Sequence, residues 1–278
     1  MKRTLIAGAA FASLLAATGA FAADLPVYSK APVVAAVYDW TGFYIGTNLG
    51  YSWGRGSTDG SVTGTQTVAT VGAGTVTTPL AALPLIGRAD VNGFIGGGQL
   101  GYNWQRGTWL LGLEGDIQFS SERGSGDVCT VAGCPAGSAV FTRDYKLDWF
   151  GTARGRVGFL PADRLLLYVT GGLAYGNFSG SSWTLPLDIG TWSSLSVGWT
   201  AGAGVEAALG DNWSVKFEYL YMDLGNAGGS SATNTTATTV RTTTTTTTLA
   251  YLFNTRFTDS IARVGLNYHF SGPVVAKY

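Results

Sequence analysis

The sequence predicts an all-β fold, an eight-stranded antiparallel up-and-down β-barrel that crosses a membrane. Three observations support this prediction. Segments of about ten residues alternate apolar with polar side chains, which is the period of a strand with two different faces. The connections between these segments are long and short in turn, and aromatic side chains gather at both ends of the segments. Together these features are typical of outer-membrane barrels.

The segment that begins at Asp148, DWFGTARGRVGF, shows the alternation most clearly. One set of alternate residues is small or apolar, with Trp149 and Phe159 at its ends. The other set is mostly polar and includes Asp148, Arg154 and Arg156. A soluble strand rarely places two arginines beside glycine, whereas an outer-membrane strand turns one set to lipid and the other to a polar interior.

Seven other segments repeat this pattern, and each is long enough to cross a bilayer at a tilt. The predicted strands are residues 43–54, 94–104, 109–119, 148–159, 165–175, 197–209, 213–221 and 260–270. Three connections are short, and four longer ones are rich in Gly, Thr and Ser. The long connections are predicted to be loops, at residues 55–90, 121–144, 176–195 and 223–257. Since outer-membrane barrels combine short periplasmic turns with long extracellular loops, this order places both chain ends in the periplasm.

The aromatic residues form two predicted girdles, because an amphipathic ring is most favourable at a membrane–water interface. The predicted periplasmic-edge girdle consists of Phe43, Trp104, Trp109, Phe159, Trp213, Tyr268 and Phe270. The predicted outer-edge girdle consists of Tyr51, Trp53, Phe119, Trp149, Tyr175, Trp199 and Tyr221.

The composition excludes several classes of protein. Charged residues make up 12% of the chain, about half of the roughly one quarter that is usual in soluble proteins. The 17 basic and 17 acidic residues balance, so the basic excess of a nucleic-acid-binding protein is missing. Outside the N-terminus, no apolar run approaches the roughly 18 residues of a membrane-spanning helix.

The N-terminus has the layout of a secretory signal peptide: two basic residues, a short apolar run and a small-residue cleavage pattern that ends at Ala22. The apolar run is too short for a membrane anchor. The predicted domains are a signal peptide at residues 1–22, a periplasmic linker at 23–38, an outer-membrane β-barrel at 39–270 and a C-terminal tail at 271–278.

The chain resembles the small outer-membrane β-barrel proteins of alphaproteobacteria, the porin-family or opacity-like proteins of the major outer-membrane antigen type. The segments that carry this resemblance lie between residues 39 and 270 and include DWTGFYIGTNLGYSWG, GFIGGGQLGYNW, LDWFGTARGRVGF and GWTAGAGVEAALGDNWSVKFEYLYMDLG. The resemblance implies a location in the outer membrane, insertion by the barrel-assembly machinery and no enzymatic activity. Members of the family have roles in envelope integrity, as surface antigens and in haem binding. Barrel assembly usually reads a C-terminal aromatic residue, and here both Phe270 and Tyr278 are candidates.

Eight charged residues are predicted to point into the barrel. They are Glu114, Asp116, Arg154, Arg156, Glu206, Lys216, Glu218 and Arg263. Because burying an unpaired charge is costly, we expect the four acids to pair with the four bases. Strand order predicts two groups, one on the third and fourth strands and one on the sixth to eighth. These charges form either an ion-selective constriction or, as we expect, an ion-pair network that fills a narrow barrel and leaves little conductance.

Other candidate sites are weaker. Cys129 and Cys134 are predicted to form a disulfide, the usual state of paired cysteines in an exported protein. The spacing Gly96-x-Gly98-x-x-Gly101 matches a dinucleotide-binding motif, but it lies within a strand pattern where no helix follows. A lone histidine, His269, is predicted to face inward near the periplasmic edge. This is the wrong end for lipid-modifying catalysis and a poor position for a haem ligand, so we predict no catalytic, metal or cofactor site.

The predicted function is that of a structural outer-membrane barrel that contributes to envelope integrity and displays long surface loops. Its polar loops suit contact with outer-membrane lipid, lipopolysaccharide sugars or host surfaces. Two alternatives remain open at this point: a narrow porin-like channel for small solutes, and binding of haem or a host ligand by the loops.

Overall fold

A computed structural model of the chain describes residues 38–130, 134–135, 139–184, 187–210 and 212–270. Eight strands form a closed antiparallel barrel in which each strand pairs with the next and β8 pairs with β1. The strands are β1 (Gly42–Thr70), β2 (Gly74–Arg106), β3 (Trp109–Cys129), β4 (Ala139–Ala162), β5 (Leu165–Thr184), β6 (Leu187–Ala208), β7 (Trp213–Val240) and β8 (Thr243–His269). The predicted fold class is confirmed. The predicted signal peptide, the C-terminal tail with Tyr278 and all of the predicted linker except Tyr38 lie outside the described residues. Within the described part of the chain, no helix is long and apolar enough to cross a membrane.

The four predicted long loops are instead extensions of the strands, and that part of the prediction is wrong. The ladder between β1 and β2 continues to Thr70 and Gly74, and the ladder between β7 and β8 continues to Val240 and Thr243. Threonine and valine favour strands, and hydroxyls of opposed threonines bond across the ladder. In one such pair the Oγ1 atoms of Thr239 and Thr244 lie 3.0 Å apart. A polar composition rich in Thr therefore marks a solvated hairpin here rather than an irregular loop.

The alternation of faces follows the prediction except near the start of the opening segment. A β-bulge between Leu147 and Trp149 shifts the register of β4 against β5. As a result Leu147 and Phe150 are both buried inside the barrel. Asp148, predicted to face inward, is instead partly exposed, and its carboxylate lies 2.5 Å from Lys146 Nζ.

The outward surface is apolar in the middle and carries the predicted aromatic residues at both margins. Leu49 and Phe94, for example, are 74% and 73% exposed. Near the short turns, the rings of Trp109 and Phe159 lie 5.5 Å apart between centroids. Towards the other end, Trp199 and Tyr221 lie 5.6 Å apart. The residues of the two predicted girdles are on outward positions of the strands, except Phe270, which is exposed directly after the end of β8.

The interior is filled by layers, which β4 crosses in sequence. Leu160 belongs to an apolar cluster at the end with the short turns, Arg156 and Arg154 to a polar layer, and Phe150 and Leu147 to a second apolar cluster. A third apolar cluster lies further out, formed by Val62, Leu85, Val128, Phe141 and Phe253. The start of β5 is apolar on both faces because the first apolar cluster buries the inward side chain of Leu166.

A charge network closes the barrel interior

The eight predicted inward charges meet in one layer of the barrel. Strand alternation directs them inward from β3, β4, β6, β7 and β8, and each is at most 5% exposed. The residues are Glu114 and Asp116 on β3, Arg154 and Arg156 on β4, Glu206 on β6, Lys216 and Glu218 on β7, and Arg263 on β8.

Glu114 is the central acceptor of this network. Lys216 Nζ lies 2.9 Å from both of its carboxylate oxygens. Tyr44 donates its hydroxyl to Glu114 Oε2 at 2.7 Å, and Arg154 donates to Oε1. Arg263 Nη2 approaches the same carboxylate at 3.6 Å. One carboxylate thus joins residues from four strands.

Asp116 and Glu218 hold the other side of the layer. Arg263 Nη2 lies 3.0 Å from Asp116 Oδ2 and 2.5 Å from Glu218 Oε2. Arg154 reaches the same two carboxylates, at 3.0 Å and 3.2 Å. Two arginines and two acids therefore form a closed square of ion pairs, to which Thr152 adds a hydrogen bond to Asp116 at 2.8 Å.

Arg156 and Glu206 form the part of the network nearest the short turns. Arg156 Nη1 donates to Glu206 Oε2 at 3.1 Å. The guanidinium carbon of Arg156 also lies 4.7 Å from the ring centroid of Tyr44 and 5.4 Å from that of Tyr168, within the range of cation–π attraction. Asn267 Nδ2 donates to Glu206 at 2.7 Å.

Strand order predicts two separate groups of charges, but in the structure all eight residues belong to a single network. Lys216 bonds Glu114 and Arg263 bonds Asp116, and both contacts join strands that are not neighbours in the wall. The reason is the width of the barrel, because eight strands enclose a space just wide enough for side chains to meet. Long Arg and Lys side chains therefore reach across it.

An aromatic cap covers the network at the end with the short turns. Trp40 is fully buried and donates its indole N–H to the backbone oxygen of Asp163 at 3.0 Å. The ring centroid of Trp40 lies 5.5 Å from that of His269. The ring centroid of Tyr38 lies 6.2 Å from that of His269. His269 Nε2 lies 3.0 Å from Ser214 Oγ. The lone histidine is thus buried beneath the cap.

The outer half of the interior was not anticipated from the sequence. Its second apolar cluster contains Phe150, Phe178 and Leu220 among its members. Two further acids are buried at about this level: Ser52 donates to Asp259 at 2.5 Å, and Ser120 donates to Glu122 at 2.9 Å. No sequence signal marked these acids, because Glu122 lies just after the predicted third strand and Asp259 just before the predicted eighth.

The polar interior of the hairpins continues beyond the second apolar cluster. Arg143 is fully buried, with its guanidinium carbon 4.9 Å from the ring centroid of Phe253. Its Nη1 donates to Thr255 Oγ1 at 3.2 Å. Burial lowers the pKa of the Arg143 guanidinium below its ordinary value. The interior is therefore filled well above the outer aromatic band.

The cysteines and the glycines of the nucleotide-motif spacing lie in ordinary structural contexts. A disulfide joins Cys129 and Cys134, with Cα atoms 5.4 Å apart, at the end of β3. The glycines of the Gly96-x-Gly98-x-x-Gly101 spacing lie within β2. Among the residues that the structure describes, no group of three or more His, Cys, Asp or Glu side chains is arranged to hold a metal ion.

A closed β-barrel with an apolar outward belt and a polar layer inside defines a transmembrane barrel of the outer-membrane class. The sequence matches the family described as outer membrane protein beta-barrel domain over residues 7–253. The chain belongs to this family, and the predicted location in the bacterial outer membrane is confirmed.

Two groups of relatives and one solved structure illustrate the similarity. The chain is 40% identical over 235 residues to the 31 kDa outer-membrane immunogenic protein of Brucella melitensis biotype 1, covering 81% of this chain and 88% of the relative. It is 30% identical over 212 residues to the 25 kDa outer-membrane immunogenic protein of Brucella abortus biovar 1, covering 74% and 78%. Ail, the attachment invasion locus protein of Yersinia pestis, is 12% identical with a TM-score of 0.30, over 73% of this chain and 97% of Ail.

Proposed function

We propose that this protein is a closed structural barrel that contributes to the integrity of the outer membrane and displays its long hairpins at the cell surface. The observation that carries the proposal is the filled interior. An aromatic cap, a paired charge network and two apolar clusters follow one another along the axis. The network thus serves as a brace that ties opposite walls together rather than as a selectivity filter.

The hairpins supply the second part of the proposed function. β1, β2, β7 and β8 are 29, 33, 28 and 27 residues long, whereas about ten residues suffice to cross a bilayer. Their extensions carry Thr-rich surfaces, which suit contact with lipopolysaccharide sugars or host molecules. Insertion by the barrel-assembly machinery is part of the same proposal.

Planar-bilayer recording tests the closed interior. We expect purified protein to give no stable single-channel steps, with a known open porin as the positive control in the same bilayers. Large, reproducible steps would support the alternative of a narrow solute channel and overturn the proposal.

A deletion strain tests the role in the envelope. We expect increased sensitivity to detergent and leakage of periplasmic proteins, restored by the wild-type gene. A strain with an intact envelope would remove the structural role and leave display as the remaining function. The buried position of His269 beneath Tyr38 and Trp40 gives no support to haem ligation by this residue.

A further inference from the structure

The outward surface of β3 to β6 carries a polar groove just beyond the outer aromatic band. The groove has a volume of about 870 Å³ and is lined by two consecutive rows of residues that run across the strands. The first row is Arg123, Lys146, Ser179 and Ser193, and the second is Ser125, Asp144, Ser181 and Thr191. Adjacent strands lie about 4.8 Å apart and successive outward residues about 6.6 Å apart, so the rows cover an area of roughly 14 by 7 Å.

The groove combines hydrogen-bonding groups with mixed charge. Ser181 donates to Asp144 at 3.3 Å, and Lys146 is held by Asp148 at 2.5 Å. Arg123 is exposed, and no carboxylate among the described residues lies within ion-pair distance of it. The two cations, Arg123 and Lys146, are matched in number by Asp144 within the groove and Asp148 beside it, which disfavours a site for a simple anion. Interspersed donors and acceptors suit a polyhydroxylated ligand, and the free guanidinium suits an acidic group on that ligand.

The surface below the groove is mainly apolar, although Asn177 of β5 stands between Trp149 and Leu195 in the row next to the groove. The two neighbouring outward rows include Phe119, Trp149, Leu195 and Val197, and Leu195 and Val197 are 64% and 65% exposed. Polar rows that border on mainly aromatic and aliphatic rows match a ligand with a sugar headgroup above and acyl chains below. An interfacial position of this kind is where aromatic side chains bracket lipid headgroups.

We propose that this groove binds the acidic saccharide headgroup of an outer-leaflet glycolipid. The serine and threonine hydroxyls and Asp144 bond the sugar hydroxyls. Arg123 receives the phosphate, and the apolar rows below contact the acyl chains. The proposal rests on the proposed function only for the location of the barrel in the outer membrane, so channel activity in the bilayer test would overturn that function and leave lipid binding measurable.

Binding of four probes to the barrel in nanodiscs, measured by lipid titration, separates the contributions of phosphate, sugar and acyl chains to affinity. The probes are a phosphorylated acylated glucosamine disaccharide, the same glycolipid without phosphate, the deacylated phosphorylated disaccharide, and phosphatidylglycerol. We expect the wild-type barrel to prefer the first probe over all others. We expect Arg123→Ser to weaken binding of this probe roughly tenfold, the effect of losing one charge-assisted hydrogen bond. Removing phosphate from the glycolipid should then matter for wild type and not for the variant.

Matched variants control for charge and folding. Arg106→Ser removes the same charge at the opposite end of the barrel and should bind like wild type. If Arg123→Ser does not fold, the double variant Ser181→Ala/Ser193→Ala keeps both cations and should still lose at least several-fold in affinity. Equal affinity of wild type for phosphatidylglycerol or for the deacylated disaccharide would overturn the proposal, as would unchanged binding by the folded groove variants.

Discussion

Lys216 Nζ lies 2.9 Å from both carboxylate oxygens of Glu114, although the two residues stand on β7 and β3, which are not neighbours in the barrel wall. The contact therefore spans the interior. Both side chains are at most 2% exposed. An ion pair this far from water is expensive to break, because removing one partner leaves the other charge buried and uncompensated.

Glu114→Gln should destabilise the barrel by about 3–5 kcal/mol, since it leaves Lys216 and Arg154 short of an acceptor. Urea-induced unfolding in detergent micelles, followed by tryptophan fluorescence, measures this change. Asp90→Asn is the control, because Asp90 pairs with Arg55 at 3.3 Å on the exposed surface, where such pairs contribute about 0–1 kcal/mol. Equal costs for the two variants would contradict a bracing role for Glu114.

Adding Lys216→Met to Glu114→Gln should recover stability rather than reduce it further. The double variant leaves three acids and three bases in the layer, so its charges balance again. Replacing a buried ion pair by neutral groups is often close to neutral, whereas breaking it is costly. A double-mutant cycle from the same urea curves gives the coupling, expected at about 1–3 kcal/mol. Strictly additive effects would show that the two residues act independently.

Much of this layer follows from the sequence, because the period of two fixes which side chains face inward. Arg154, Arg156 and Glu218 reach the interior for that reason alone. Their partners do not follow, since pairing depends on the width and stagger of the closed barrel rather than on strand order. A pattern in one strand holds no information about the strand opposite.

Three other features escape prediction for different physical reasons. The bulge beside Asp148 changes which face a residue takes, and a single extra residue leaves no compositional mark. Trp40 stands before the first strand, outside any periodic segment, so its insertion into the barrel mouth is a tertiary effect. The Thr-rich hairpins do not follow from composition, because loops and solvated strands share the same polar residues.

Trp40→Ala should open the cap over His269. The indole ring lies against the imidazole, and loss of a fully buried tryptophan costs about 3–5 kcal/mol. We expect His269 to react with diethyl pyrocarbonate at least several-fold faster in the variant, as measured by mass spectrometry of the only histidine in the chain. Trp109→Ala, which removes an exposed aromatic ring at the same end, is the control and should leave the rate unchanged. Rapid modification of His269 in wild type would contradict the capped interior.

Gly97→Ala and Gly98→Ala should differ sharply although they are adjacent. A Cβ at Gly97 would collide with the backbone oxygen of Ile117 and lie 2.9 Å from the Cα of Gln118, whereas a Cβ at Gly98 would have its nearest neighbour, the backbone oxygen of Gly46, at 3.8 Å. Overpacking against backbone costs about 1–3 kcal/mol, so Gly97→Ala should unfold at lower urea while Gly98→Ala unfolds like wild type. Both glycines fall within the nucleotide-motif spacing. Equal tolerance at both positions would mean that strand packing does not explain glycine at Gly97.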